Sequence, residues 1–147
     1  MTGGIDITNQ QKKEYLNQYR VLDNQINRKL EEVAKWKSRA TKITASYSLT
    51  PKGSCDDKIQ KAIDMIADLQ EEINKDVDKL ISFKSEIDQC FQTVTNDTLR
   101  LILEYRYIDG LTFESIACHM NYSWRWILQL HGDALKALQI VHGTSYS

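Results

Sequence analysis

Ser123, Trp124, Arg125, Gln129 and Lys136 are spaced so that a single helix would carry them. At about 100° per residue, Arg125, Gln129, Gly132 and Lys136 fall together, opposite Ile127. A guanidinium can bond two acceptors on a guanine edge, and a glutamine amide can do the same on adenine. Ser123 and the N–H groups of the first turn can hold a phosphate. These groups suit the reading of a duplex edge, not bond making. Cys118-His119 and His131 suggest a metal site, but no Cys-x-x-Cys and no spaced histidine pair completes four ligands. No nucleophile–base arrangement or phosphate-cradling glycine loop is present. We therefore expect a non-enzyme with no cofactor and no metal.

Such a helix needs a partner to hold it. With Phe113 as the first position of a two-helix unit, Ala117 falls where the helices would cross closely and a larger side chain would pry them apart. Asn121 falls in the turn, at a position needing left-handed backbone, which asparagine tolerates better than most residues. Ile127 anchors the second helix, with Ile116, Met120 and Leu130 at the other buried positions. Thr112 caps the first helix (113–120) and Ser123 the second (124 to about 139). Asn96 caps a preceding helix to about Ile108, with Leu99, Ile102, Leu103 and Tyr107 on its apolar side, and Asp109-Gly110 ends it. His131 is placed at the rim and His119 on the surface. Trp126 lies about 100° off the core axis, and packing against the rest of the chain is its expected fate.

Upstream, apolar residues recur from Tyr15 through Leu22, Ile26, Leu30, Val33 and Trp36 to Ile43 in steps of three and four. A second stripe runs from Ile59 through Ile63, Ile66, Leu69, Ile73, Val77 and Leu80 to Phe91. Both have the period of a coiled-coil seam. Ala45 to Cys55, with Pro51 and Gly53, reads as a loop, and Ser54 or Asp56 as the next cap. The expected fold is all-α: a long antiparallel helical hairpin over 1–95, coiled-coil-like with arms at about 10–44 and 56–93, followed by a three-helix helix-turn-helix module over 96–142. Residues 1–9 and the tail 142–147 are expected to be loose. Tyr15, Tyr19, Trp36, Phe83 and Phe91 need further cover. Either the C-terminal helices fold back on them or the hairpin self-associates, and we expect a homodimer.

Charge is uneven. Residues 1–53 hold ten Lys/Arg and five Asp/Glu, residues 54–92 five and ten, and residues 93–147 four and five. The basic surface that a nucleic-acid binder needs is thus concentrated in the first arm, where it also complements the acidic second arm. Cys55, Cys90 and Cys118 are odd in number and unpatterned, as expected of reduced thiols. No stretch has the length and apolarity of a membrane span, and the first residues do not have the order of a signal peptide. We expect a cytoplasmic protein.

Tyr105 to Leu138, YRYIDGLTFESIACHMNYSWRWILQLHGDALKAL, resembles the promoter-reading region 4 of bacterial sigma factors. The likeness lies in Tyr107-Ile108-Asp109-Gly110-Leu111, in Thr112-Phe113-Glu114-Ser115-Ile116-Ala117, and in a serine-started helix closing with Ala134-Leu135-Lys136-Ala137-Leu138. With the charged hairpin before it, the chain resembles the small sigma-like regulators of Gram-positive phages and prophages, the RinA and ArpU late-gene activators among them. The resemblance implies sequence-specific binding to double-stranded DNA at a promoter or operator, with contact to host RNA polymerase, by an activator lacking a DNA-melting domain. Ser123, Trp124, Arg125, Gln129 and Lys136 would be its DNA contacts. The alternative is a protein-interaction module on the same scaffold, an inhibitor, adaptor or packaging factor, favoured by the two tryptophans and the few cations.

Overall fold

The computed structural model describes residues 7–46 and 54–141, the side chains of 46 and 54–56 excepted. Most of the expected loop, residues 1–6 of the expected loose start and the tail 142–147 lie outside these residues, while Asn9, expected to be loose, already belongs to the first helix. The described chain is all-helical, without strands. Its helices are α1 (Asn9–Ser46), α2 (Ser54–Phe91), α3 (Asp97–Leu103), α4 (Phe113–Met120) and α5 (Trp124–Ala137). Both long helices exceed the expected arms by one or two residues at most ends, so Ala45 and Ser46, expected in the loop, lie inside α1, and Ser54 to Asp56 lie inside α2. No helix among the described residues is long and apolar enough to cross a membrane.

Packing divides the chain into two compact units, one of residues 1–21 with 81–147 and one of residues 22–80. The division cuts across the 95/96 boundary because the start of α1 and the end of α2 pack with the C-terminal helices. In the first unit, Leu16, Phe83, Ile87, Phe91, Leu103, Tyr107, Leu135 and Leu138 share one core. Tyr15 and Tyr19 pack against its edge, and Tyr15 meets Phe83 edge-on at 5.2 Å. Fold-back thus covers four of the five aromatics. Leu16 is fully buried although the apolar stripe as read starts at its neighbour Tyr15.

In the second unit, Ile26, Val33, Leu69 and Ile73 form a buried cluster, edged by Trp36, Ile66, Val77 and Leu80. Lys29 reaches from α1 to Asp76 at 2.7 Å and to Glu72 at 3.4 Å. Leu30 and Ile63, expected at the seam, are instead 48% and 50% exposed. Two helices cover only a narrow line along each stripe, and residues at its flanks stay in water.

The connections after α2 are fixed locally. Asn96 caps α3, its side chain accepting from Leu99 N–H at 3.2 Å. Arg100 donates twice to the Val94 carbonyl, at 3.1 and 2.9 Å. The expected single helix to Ile108 is instead α-helical to Leu103 and then one π-helical turn, Glu104–Ile108. The wider turn closes with Asp109 N–H on the Glu104 carbonyl and Leu111 N–H on the Tyr105 carbonyl. Gly110 follows at φ 73°, and a Cβ there would lie 2.6 Å from the Arg20 guanidinium, which itself donates to the Ile108 carbonyl at 3.1 Å. Gly110→Ala is expected to lower stability by about 1–2 kcal/mol, the cost of left-handed backbone for an L residue. Urea unfolding at neutral pH checks this; an unchanged midpoint would mean the turn relaxes freely.

Candidate nucleic-acid interface

α4 starts at Thr112, whose hydroxyl accepts from Ser115 N–H at 3.1 Å. It ends at Asn121 with φ 58° and ψ 40°, the left-handed position expected for the turn. The Ala117 carbonyl accepts the N–H groups of both Asn121 and Tyr122. This closes the helix within two residues. Ser123 is extended and its hydroxyl accepts from Trp126 N–H at 3.1 Å. The Ser123 O–H remains a donor, and the N–H groups at the very start of α5 have no helical partner.

The two helices meet on their apolar sides. Ile116, Ala117 and Ile127 are buried in one cluster with Ile102 of α3, with Met120 and Leu130 partly buried beside them. Leu138 is fully buried as well. α5 ends at Ala137, not near Gln139, because Leu138 turns extended (ψ 135°) and enters the main core. Gln139 N–H then donates to the Thr93 hydroxyl at 2.9 Å, and that hydroxyl donates to the Cys90 carbonyl. The last turn of α5 is met by Lys12, which donates to the Leu135 carbonyl at 2.7 Å. A cation at a helix C-terminus satisfies a free carbonyl and complements the dipole.

With the inner side of α5 so occupied, Ser123, Trp124, Arg125, Gln129 and Lys136 are all exposed. Arg125, Gln129 and Lys136 have no side-chain partner among the described residues. Arg125 and Lys136 lie about 16 Å apart along the helix. Asp133 is exposed on the same helix, so the face carries little net positive charge. The expected packing of the tryptophans against the rest of the chain is not found. Trp124 is 51% exposed and Trp126 44%. With Tyr122, also exposed, they form an aromatic group at the turn and the first turn of α5.

His131 departs most from expectation. It is buried, not at the rim. Its Nε2 is hydrogen-bonded to the Tyr107 hydroxyl at 2.8 Å, and the Phe113 ring meets it edge-on at 4.9 Å. Burial, and then the Lys13 and Arg106 cations, push its pKa down to about 4. Burial pushes the Tyr107 phenol up to about 12. Both are neutral near pH 7 and form a polar tie inside an apolar core. His119 is exposed and bonds to its own helix at the Ser115 carbonyl, 2.8 Å away. Cys90 is buried and Cys118 exposed.

No protein-family model, no curated protein and no solved structure matches this chain.

Proposed function

We propose that the protein is a sequence-specific DNA-binding transcription regulator of phage or prophage origin, activating late genes with host RNA polymerase. Its reader is a helix-turn-helix of α4 and α5, supported by α3 as the third helix of the module. The observation that carries this reading is the division of α5: Ile127, His131, Ala134 and Leu135 buried on one side, and Arg125, Gln129 and Lys136 free on the other. A left-handed Asn121 and a small Ala117 at the crossing support the scaffold. The likeness of residues 105–138 to sigma region 4 supports the class. Pairing of Tyr15 with Glu86 and of Lys29 with Asp76 supports the antiparallel hairpin.

In this reading the start of α5 enters the major groove, where recognition helices place their N-terminal residues. Ser123 and the free N–H groups meet a phosphate, while Arg125 and Gln129 meet base edges. Lys136 neutralises a phosphate further along, and Trp124 packs on sugars beside the cap. Arg125→Ala is expected to weaken binding to the best duplex by about 1–3 kcal/mol and to relax preference at one base pair. Fluorescence polarisation on duplexes recovered by selection checks both effects. Unchanged affinity and preference would place the reading face elsewhere.

The exposure of Tyr122, Trp124 and Trp126 favours a second reading, a scaffold that grips a host or phage protein. Titration against random duplex at about 50 mM salt separates the two, because even nonspecific DNA binding is measurable at low salt. Absence of binding there would leave the protein-interaction reading standing.

A further inference from the structure

In the unit of residues 22–80, α1 carries more cations than α2 takes up. Residues 33–46 hold Lys35, Lys37, Arg39 and Lys42 and no Asp or Glu, in a chain whose 20 Asp/Glu slightly outnumber its 19 Lys/Arg. Lys29 turns to α2 and meets Asp76 and Glu72. Arg28, Lys35, Lys37 and Arg39 are exposed and form no ion pair among the described residues. Glu32 stands four positions after Arg28, and Glu31 four before Lys35, yet neither pair closes among the described residues. The helix dipole does not account for these cations either. The last turn of α1 holds no basic residue, and the effect fades beyond that turn.

Four of the cations share a direction. At about 100° per residue, Arg28, Lys35, Arg39 and Lys42 fall within an arc of about 60°, roughly opposite Ile26 and Val33. Those two are the residues of α1 buried against Leu69 and Ile73, so the row faces away from α2. It is about 21 Å long. The width of α1, about a Debye length at physiological salt, separates it from the acidic charges of α2. Arg28, Lys29, Lys35 and Arg39 line one open groove with Trp36, Glu31 and Glu32. The Arg39 guanidinium lies over the Trp36 ring, 4.7 Å from its centroid. That contact holds the planar group in place and leaves its N–H edge available.

We propose that this row is a phosphate-binding surface that holds the backbone of double-stranded DNA. The proposal rests on the DNA-binding reading and supplies what the α5 face lacks. Residues 93–147 hold four Lys/Arg and five Asp/Glu, whereas phosphate contacts by Lys and Arg dominate affinity for a duplex. The make-up of the row selects the occupant. Between residues 28 and 42 that side of α1 sets Glu31, Glu32 and Ser38 among the cations, with no large apolar side chain. Trp36 stands at its edge, partly buried against the seam cluster. A protein partner needs an apolar centre of contact, and a lipid surface needs an apolar face that enters it. A duplex offers a regular line of phosphates, one charge per about 1.7 Å of axis, which a row of cations meets without burial. Such contacts give affinity and position but no base preference; preference belongs to Arg125 and Gln129.

The test is fluorescence polarisation of the full chain against a random duplex of about 30 base pairs, from about 50 to about 200 mM salt. The wild type is expected to bind with a steep salt dependence. Arg28→Gln with Lys35→Gln and Arg39→Gln, all at exposed positions that glutamine keeps helical, is expected to weaken binding at about 50 mM salt at least about tenfold and to lower the salt slope by about 2–3. Each substitution alone is expected to lower the slope by about one. Lys61→Gln with Lys75→Gln and Lys79→Gln removes the same charge from α2 and is expected to stay within about twofold of the wild type. Far-UV circular dichroism checks the folding of each variant. A wild-type slope in the α1 variants, or an equal loss in the α2 variant, would overturn the proposal and leave the DNA-binding reading standing. A wild type that binds no duplex would overturn both, and its co-sedimentation with phosphatidylserine vesicles would then assign the row to a lipid surface. Random-duplex binding lost in the α1 variant, with no preferred sequence recovered by selection, would uphold the row and overturn the sequence-specific reading.

Discussion

Ala117→Phe is expected to unfold the C-terminal helices, with a loss of more than about 3 kcal/mol. Ala117 is buried in one cluster with Ile102, Ile116 and Ile127, each of which is fully buried. A phenyl ring has no space at this crossing, and the backbone cannot yield easily. The Ala117 carbonyl holds the N–H groups of Asn121 and Tyr122, so moving residue 117 outward breaks the closure of α4 as well. Overpacking alone costs about 1–3 kcal/mol. Parting the helices would also return parts of three isoleucines to water, at about 1.5–3 kcal/mol for each that is fully exposed. Ala117→Gly serves as the control. It keeps the close approach and costs about 1 kcal/mol in helix propensity. Urea unfolding followed by circular dichroism, with methyl NMR dispersion for Ile116 and Ile127, measures the difference. If the phenylalanine variant melts like the glycine variant, α4 and α5 do not cross tightly at Ala117.

Acid is expected to weaken the same region through His131, well above the range in which most carboxylates titrate. The ring is neutral and buried, with its pKa lowered from 6.5 to about 4. An unfolded chain takes up this proton first as pH falls. The stabilisation is therefore complete above about pH 6.5 and is lost as pH drops towards 4. The loss is about 2 kcal/mol by pH 5 and about 3 kcal/mol by pH 4. Lys13 and Arg106 oppose a positive charge on the ring, and the Tyr107 phenol, pushed up to about 12, stays protonated and supplies no counter-charge. His131→Gln is expected to be less stable at about pH 7.5, because the packing of the ring is lost. Its stability should then change much less than that of the wild type between about pH 6.5 and pH 5. Urea midpoints for both proteins across that window test the point. Parallel pH profiles would mean that His131 is solvated in solution.

These two residues also show how far the sequence could be read. Ala117 was legible because a crossing between short helices demands a small residue at a fixed distance from a turn. The turn itself was marked by Asn121. His131 was not legible. It lies four residues after Ile127, on the buried side, but a histidine is buried only where a partner waits, and Tyr107 is 24 positions away on another helix. The π-helical turn that positions Tyr107 has no clear local signature either. The proposed contact residues fall between these cases. Helical spacing placed Arg125, Gln129 and Lys136 outward from Ile127, and they are exposed. Trp126 was expected to pack because tryptophan usually does, yet it is 44% exposed.

The sequence by itself determined the all-helical class, the caps at Asn96, Thr112 and Ser123, the left-handed sites at Gly110 and Asn121, and the faces of α5. All of these are settled by interactions within about one or two turns of helix, where residue type and spacing are sufficient. Tertiary structure alone decided that the C-terminal helices return to cover Tyr15, Tyr19, Phe83 and Phe91, that Leu138 leaves the helix for the core, and that Leu30 and Ile63 stay in water. Periodicity states that a stripe is apolar. Which part of it is buried depends on what packs against it, and that is set by contacts between residues far apart in the chain.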